Sequence, residues 1–107
     1  MANSVDTPTV KCPLPDTDNI KRIKTSFGVI KEGKDMGHCA AMYAEAAVIG
    51  SSYMYHIGAP APRGYTVEVC RKEDGSLYIQ QAFGYRNSIC DSAEMQNHIN
   101  NYNKKRL

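Results

Sequence analysis

The run Arg63–Cys90, RGYTVEVCRKEDGSLYIQQAFGYRNSIC, constrains this chain more than any other stretch. Two β-branched, tyrosine-rich segments flank Lys72-Glu73-Asp74-Gly75. Asp-Gly between alternating apolar residues is a strong β-hairpin signal, because glycine takes the positive φ that a tight turn needs. On the first strand Tyr65, Val67 and Val69 share one face, and Thr66, Glu68 and Cys70 share the other. On the second, Leu77, Ile79 and Gln81 alternate with Tyr78 and Gln80. The hairpin by itself names no activity.

A chain of 107 residues makes one domain with a small core. The first nine residues read as a flexible arm and residues 91–107 as a C-terminal tail. The formal charge of +2 argues against strong, sequence-independent nucleic-acid binding. Cys12, Cys39, Cys70 and Cys90 form an even set compatible with a secreted disulfide fold, and they allow three full pairings. No C-x-x-C occurs, which argues against zinc and against a thioredoxin-like redox site. No cofactor and no metal are expected. MANSVDTPTV lacks the apolar centre of a signal peptide, so a secreted form would already have lost its leader, and the leading Met would be foreign to it. No run is long enough for a membrane span.

Upstream of the hairpin, Ile20, Ile23, Phe27 and Ile30 recur at helical spacing, with Asp16, Thr17 or Asp18 as the cap and Gly33 as the stop. Composition makes HCAAMYAEAAVI, His38–Ile49, a helix, since alanine favours one. SYMYHI, Ser52–Ile57, reads as a strand. Gly58–Pro62 is a rigid loop. After Cys90 a short helix starts at Ser92 with Met95 and Ile99 on one side, and NKKRL frays.

Several residues offer chemistry beside a plainer role. Cys39 at a helix start, with His56 as base, would suit a cysteine hydrolase or deamidase; a buried thiol or half of a disulfide is the plainer reading. Glu45 within YAEAAVI matches one part of a nucleotide-deaminase helix, but the downstream C-x-x-C of those enzymes is absent. His38, His56 and His98 are scattered, as satisfied surface or core histidines are. Tyr53, Tyr55, Tyr65, Tyr78 and Tyr85 could stack on bases, though tyrosines of this kind usually pack on a small sheet. Lys21, Arg22, Lys24 and Lys104-Lys105-Arg106 are solvated faces with a weak phosphate-binding option.

The order of elements resembles the small fungal guanyl-specific ribonucleases, and more closely their non-catalytic relatives, the RNase-like effectors secreted by cereal powdery mildew fungi. The resemblance rests on Cys12 ahead of the amphipathic helix, on Arg63–Gly84 as the last two long strands, and on Asn87-Ser88-Ile89-Cys90 as the closing segment. It covers roughly Val10 to Cys90. It implies an α+β fold, one N-terminal helix packed on a twisted antiparallel sheet, stabilised by a Cys12–Cys90 disulfide. Cys39 and Cys70 would form a second pair or stay as thiols. It also turns His38–Ile49 from helix to strand.

The family's catalytic set can be followed position by position. Of its Tyr-x-His pair, Met36-Gly37-His38 retains only the histidine. The base glutamate falls at Met54 or a neighbouring tyrosine, the phosphate-binding arginine at Thr66, and the acid histidine at Gln81 or Ala82. Threonine, glutamine and methionine supply neither a proton near neutral pH nor a full positive charge, so at least three of the four catalytic roles are empty. The resemblance therefore implies a pseudo-ribonuclease and not an enzyme. It would be secreted by the pathogen, move into the host cell cytoplasm, bind a host protein or weakly bind RNA, and be detected by an intracellular NLR immune receptor. Its contact surface would lie on the helix face and the loops at Glu32–Asp35, Gly58–Arg63 and Lys72–Gly75. The alternatives are an active ribonuclease using His38 and His56, the Cys39 hydrolase or deamidase, and a bacterial or phage inhibitor module.

Overall fold

The hairpin forms where its sequence predicts and becomes half of a four-stranded sheet. The computed structural model describes residues 5–106. Strands β1 (Ile20–Arg22), β2 (Tyr53–Ile57), β3 (Tyr65–Arg71) and β4 (Leu77–Phe83) lie in the order β1-β2-β3-β4, each antiparallel to the next. Gly75 turns between β3 and β4 at φ 89°, and Lys72 N–H donates to Ser76 O at 2.8 Å. Three helices, α1 (Ser26–Met36), α2 (Ala44–Ile49) and α3 (Ala93–Lys105), cover the sheet.

Both faces of the sheet are packed. On one, Tyr53, Tyr55, Ile57, Val67, Val69 and Leu77 meet Ile20, Leu14 and Cys12 from the N-terminal segment, with Met95 and Ile99 of α3. On the other, Met54 and Phe83 meet Val29 of α1 and Ala40, Ala44 and Ala47. The fold is thus α+β with an antiparallel sheet, as expected, and α3 is the helix expected from Ser92 with Met95 and Ile99 buried on one side; the helices of the described residues cover both faces of the sheet and not one alone.

Four expectations need correction. Ile20–Ile30 is not one helix. Ile20 pairs with Ile57 in β1, and α1 begins only at Ser26. Its cap is Thr25, whose hydroxyl accepts from Gly28 N–H at 3.1 Å, and its stop is Gly37 at φ 65°. Asp16 and Thr17 instead hold a turn, accepting from the amides of Arg22, Asn19 and Ile20. His38–Ile49 is not a strand: a 3-10 segment, Cys39–Tyr43, runs into α2, as the alanine content favours. The Cys12–Cys90 bridge is not formed, nor is Cys39–Cys70; all four cysteines are free thiols. Glu32–Asp35 lies inside α1, not in a loop.

The arm and tail are engaged from Asp6 to Arg106. Thr9 N–H donates to Lys24 O, Val10 N–H to Ala47 O, and Pro8 bridges Thr25. Asn103 bonds both backbone polar groups of Leu77, so α3 is tied to β4 near the C-terminal end that was expected to fray.

Candidate functional site

The face of the sheet beneath α1 and α2 is polar at its centre. Pleating places His56 of β2 and Thr66 and Glu68 of β3 on this face, where His56 and Thr66 pair across the strands. Gln81 joins them through a bulge. Val69 pairs with Ile79, yet Glu68 pairs with Gln81, so Gln80 is an extra residue on β4. One extra residue reverses the facing of all that follows. Gln81 therefore leaves the Leu77–Ile79 face, where simple alternation puts it, and turns toward the helices.

Two hydrogen-bonded groups result. The first runs across α1, β2, β3 and the His38 turn. His38 Nδ1 accepts from Ala40 N–H at 3.1 Å, capping the 3-10 segment. The proton of the neutral ring is therefore on Nε2, 2.9 Å from Thr66 Oγ1. Thr66 donates to Glu32 Oε2 at 2.5 Å. The same oxygen lies 2.6 Å from His56 Nδ1, and His56 Nε2 lies 2.6 Å from Ala59 O. A carboxylate and a carbonyl both need a donor, so His56 is held as imidazolium. Its pKa is raised, chiefly by the hydrogen bond to Glu32. The pKa of His38 is lowered, chiefly by burial, and its ring meets Phe83 edge-on at 4.4 Å between centroids.

The second group centres on Glu68, which is buried. Ser52 Oγ donates to its Oε2, and Gln81 Nε2 donates to its Oε1 at 2.8 Å and to Tyr43 Oη at 2.6 Å. Cys70 Sγ stands 4.0 Å from Oε2, and burial raises the pKa of that thiol.

The structure thus brings Met54, Thr66 and Gln81 to one sheet face, together with His38 and His56. Met54 and Thr66 are 1% and 0% exposed, and Gln81 spends its amide within the protein. Cys39 is exposed, but both nitrogens of His56 are engaged elsewhere, so His56 has no free lone pair for the thiol proton. His98 lies apart on α3, bonded to Pro15 O at 2.7 Å. Among the described residues no group of three His, Cys, Asp or Glu is placed to hold a metal, and no helix is long and apolar enough to cross a membrane.

Sequence reasoning missed Glu32, Glu68, Ser52 and Tyr43. Glu32 shares the buried stripe of α1 with Val29, Gly33 and Met36, at spacings of three, four and seven. A carboxylate inside such a stripe is a legible signal once the helix frame is right. The chain matches no protein-family model, no curated protein and no solved structure.

Proposed function

We propose that this chain is a non-catalytic binding protein on a ribonuclease-like α+β scaffold, a fungal virulence and avirulence effector secreted by the pathogen and acting in the host cell cytoplasm. The reading takes its direction from the resemblance of Val10–Cys90 to the RNase-like effectors. One observation carries its non-catalytic part: of the positions that would hold base, phosphate grip and acid, Met54 and Thr66 are buried beneath the helices, and the Thr66 hydroxyl and the Gln81 amide nitrogen are bonded to protein. A substrate cannot touch Met54 or Thr66 while the helices stay in place.

Function then belongs to the outer surface. Phe27, Met42 and Ile49 are 44%, 75% and 75% exposed on the α1–α2 layer. Two clefts of about 420 and 310 Å3 flank Ile30 there, rimmed by Lys31, Lys34 and Glu45. Exposed apolar residues ringed by charge mark a protein-docking face. A host protein binds here, and the NLR receptor reads the same layer or the loops at Gly58–Arg63 and Lys72–Gly75.

A second reading, an active ribonuclease, is favoured by one fact: His38 and His56 meet at Glu32 and Thr66 with opposite pKa directions, as a paired base and acid do. Incubating purified protein with RNA decides between them. No cleavage above buffer is expected. Cleavage lost in His38→Ala/His56→Ala would overturn the non-catalytic reading. For the docking face, affinity capture from host leaf extract should enrich a protein that Phe27→Asp/Met42→Asp fails to retain; equal recovery by the variant refutes that placement.

A further inference from the structure

A cleft with an excess of positive charge lies away from the covered sheet face. It opens between the N-terminal segment and edge strand β1, has a volume of about 550 Å3, and is lined by Lys11, Leu14, Pro15, Asp16, Arg22 and Lys24 among others. That volume lies in the range of small-ligand sites. Three cations face one carboxylate.

Arg22 is the fixed point. Its Nη1 donates to Thr9 Oγ1 at 2.5 Å and to Val10 O at 3.2 Å. Thr9 is buried, and its own hydroxyl is anchored on Ile23 O at 2.9 Å. The Arg22 amide is held by Asp16 Oδ1 at 3.0 Å. One arm of the guanidinium is thus spent on positioning. Nε and Nη2 have no protein acceptor among the described residues. A guanidinium held this way is pre-organised for an oxyanion. Lys24 Nζ is 3.9 Å from Asp16 Oδ2 in an exposed, loose pair, so its charge stays available. Pro13, Leu14 and Pro15 give the cleft an apolar wall.

We infer that this cleft binds a phosphate-bearing organic molecule of mononucleotide size, with Arg22 as the oriented donor and Lys11 and Lys24 as mobile point charges. The phosphate meets the cations and the organic body lies on the proline-leucine wall. The inference is independent of the effector reading, since it uses none of the residues beneath α1 and α2.

Amide NMR titration of the intact protein tests it with four probes: inorganic pyrophosphate, adenosine monophosphate, adenosine, and a single-stranded RNA tetramer without terminal phosphates. Shifts confined to residues 9–16 and 22–24 are expected for a phosphate-bearing probe, with a Kd of about 1 mM or tighter. Adenosine should give none. Saturation by the monophosphate alone assigns a free nucleotide; saturation by the tetramer as well extends the site to phosphodiesters. Lys11→Ala/Lys24→Ala removes only exposed stems and should weaken binding about tenfold. Equal shifts by adenosine, shifts by no probe, or unchanged affinity in the double variant would each overturn the assignment.

Discussion

Thr66 has no exposed surface, so its hydroxyl must find both partners inside the protein. It accepts from His38 and donates to Glu32, and Glu32 holds His56. Removing the carboxylate leaves an imidazolium and a hydroxyl without their acceptor. Glu32→Ala should therefore cost about 2–4 kcal/mol in urea unfolding. The two histidines titrate on opposite sides of the ordinary imidazole value. His56, raised, contributes stability that is complete below about pH 6.5 and is lost as pH rises through its folded pKa. His38, lowered, contributes stability present above about pH 6.5 and lost as pH falls through its folded pKa. His56→Gln should remove the decline on the alkaline side, and His38→Gln the decline on the acid side. Side-chain NMR titration reads both directly; a single shared pKa would contradict the asymmetry. The thiols give a second residue-scale expectation. Iodoacetamide without reductant should label all four cysteines in denaturant, and under native conditions Cys39 first and buried Cys12 last. A mass showing fewer than four adducts in denaturant would restore a disulfide.

At the scale of elements, the contact between α1 and the following 3-10 segment depends on Gly33. A Cβ there would stand 2.7 Å from the Ala41 amide nitrogen and 3.2 Å from His38 O. His38 N–H also donates to Gly33 O at 3.0 Å. Alanine improves helix propensity by about 1 kcal/mol, yet Gly33→Ala should lower stability by about 1–3 kcal/mol, because the 3-10 segment must move and His38 moves with it. Thermal melts would show the sign; a stabilised variant would mean the segment yields freely. Gly33 also shows why legibility varied along the chain. As a sequence feature it reads as a helix stop; its reason for being glycine is a tertiary contact. The hairpin and β2 were legible because alternation and Asp-Gly are local signals. Ile20, Ile23, Phe27 and Ile30 kept helical spacing across a chain that turns at Thr25, so a periodic pattern spanned two elements. The helical nature of His38–Ile49 was legible in its alanines, and the resemblance to a strand-rich family displaced that reading. The site was legible only in pieces. Glu32, His38, His56 and Thr66 converge through strand register, and Gln81 joins through a bulge that no local pattern announces.

For the molecule as a whole, the question is whether residues beyond Cys90 are an appendage. The likeness expected from the sequence stops at Cys90, which would make the first 90 residues a self-sufficient frame. The packing argues otherwise. Met95 and Ile99 of α3 are both 0% exposed and close the face formed by Val67, Val69, Leu77 and Tyr53, with Tyr102 packed against them. Each buried side chain of this size is worth roughly 1.5–3 kcal/mol, and deleting α3 would also uncover the strand residues beneath it. That loss approaches the 5–15 kcal/mol that typically holds a whole domain together. No disulfide is present to limit the unfolded chain in compensation. The sheet is therefore closed by helices on both faces, and the C-terminal helix is a layer of the fold. A chain ending at Cys90 should lose its cooperative thermal transition and bind a dye specific for exposed apolar surface, while the full chain melts in one step. The milder Ile99→Ala should keep the fold and lower stability by about 2–4 kcal/mol. A truncated chain that melts as sharply as the full one would show that the frame up to Cys90 stands alone, and that α3 only rests upon it.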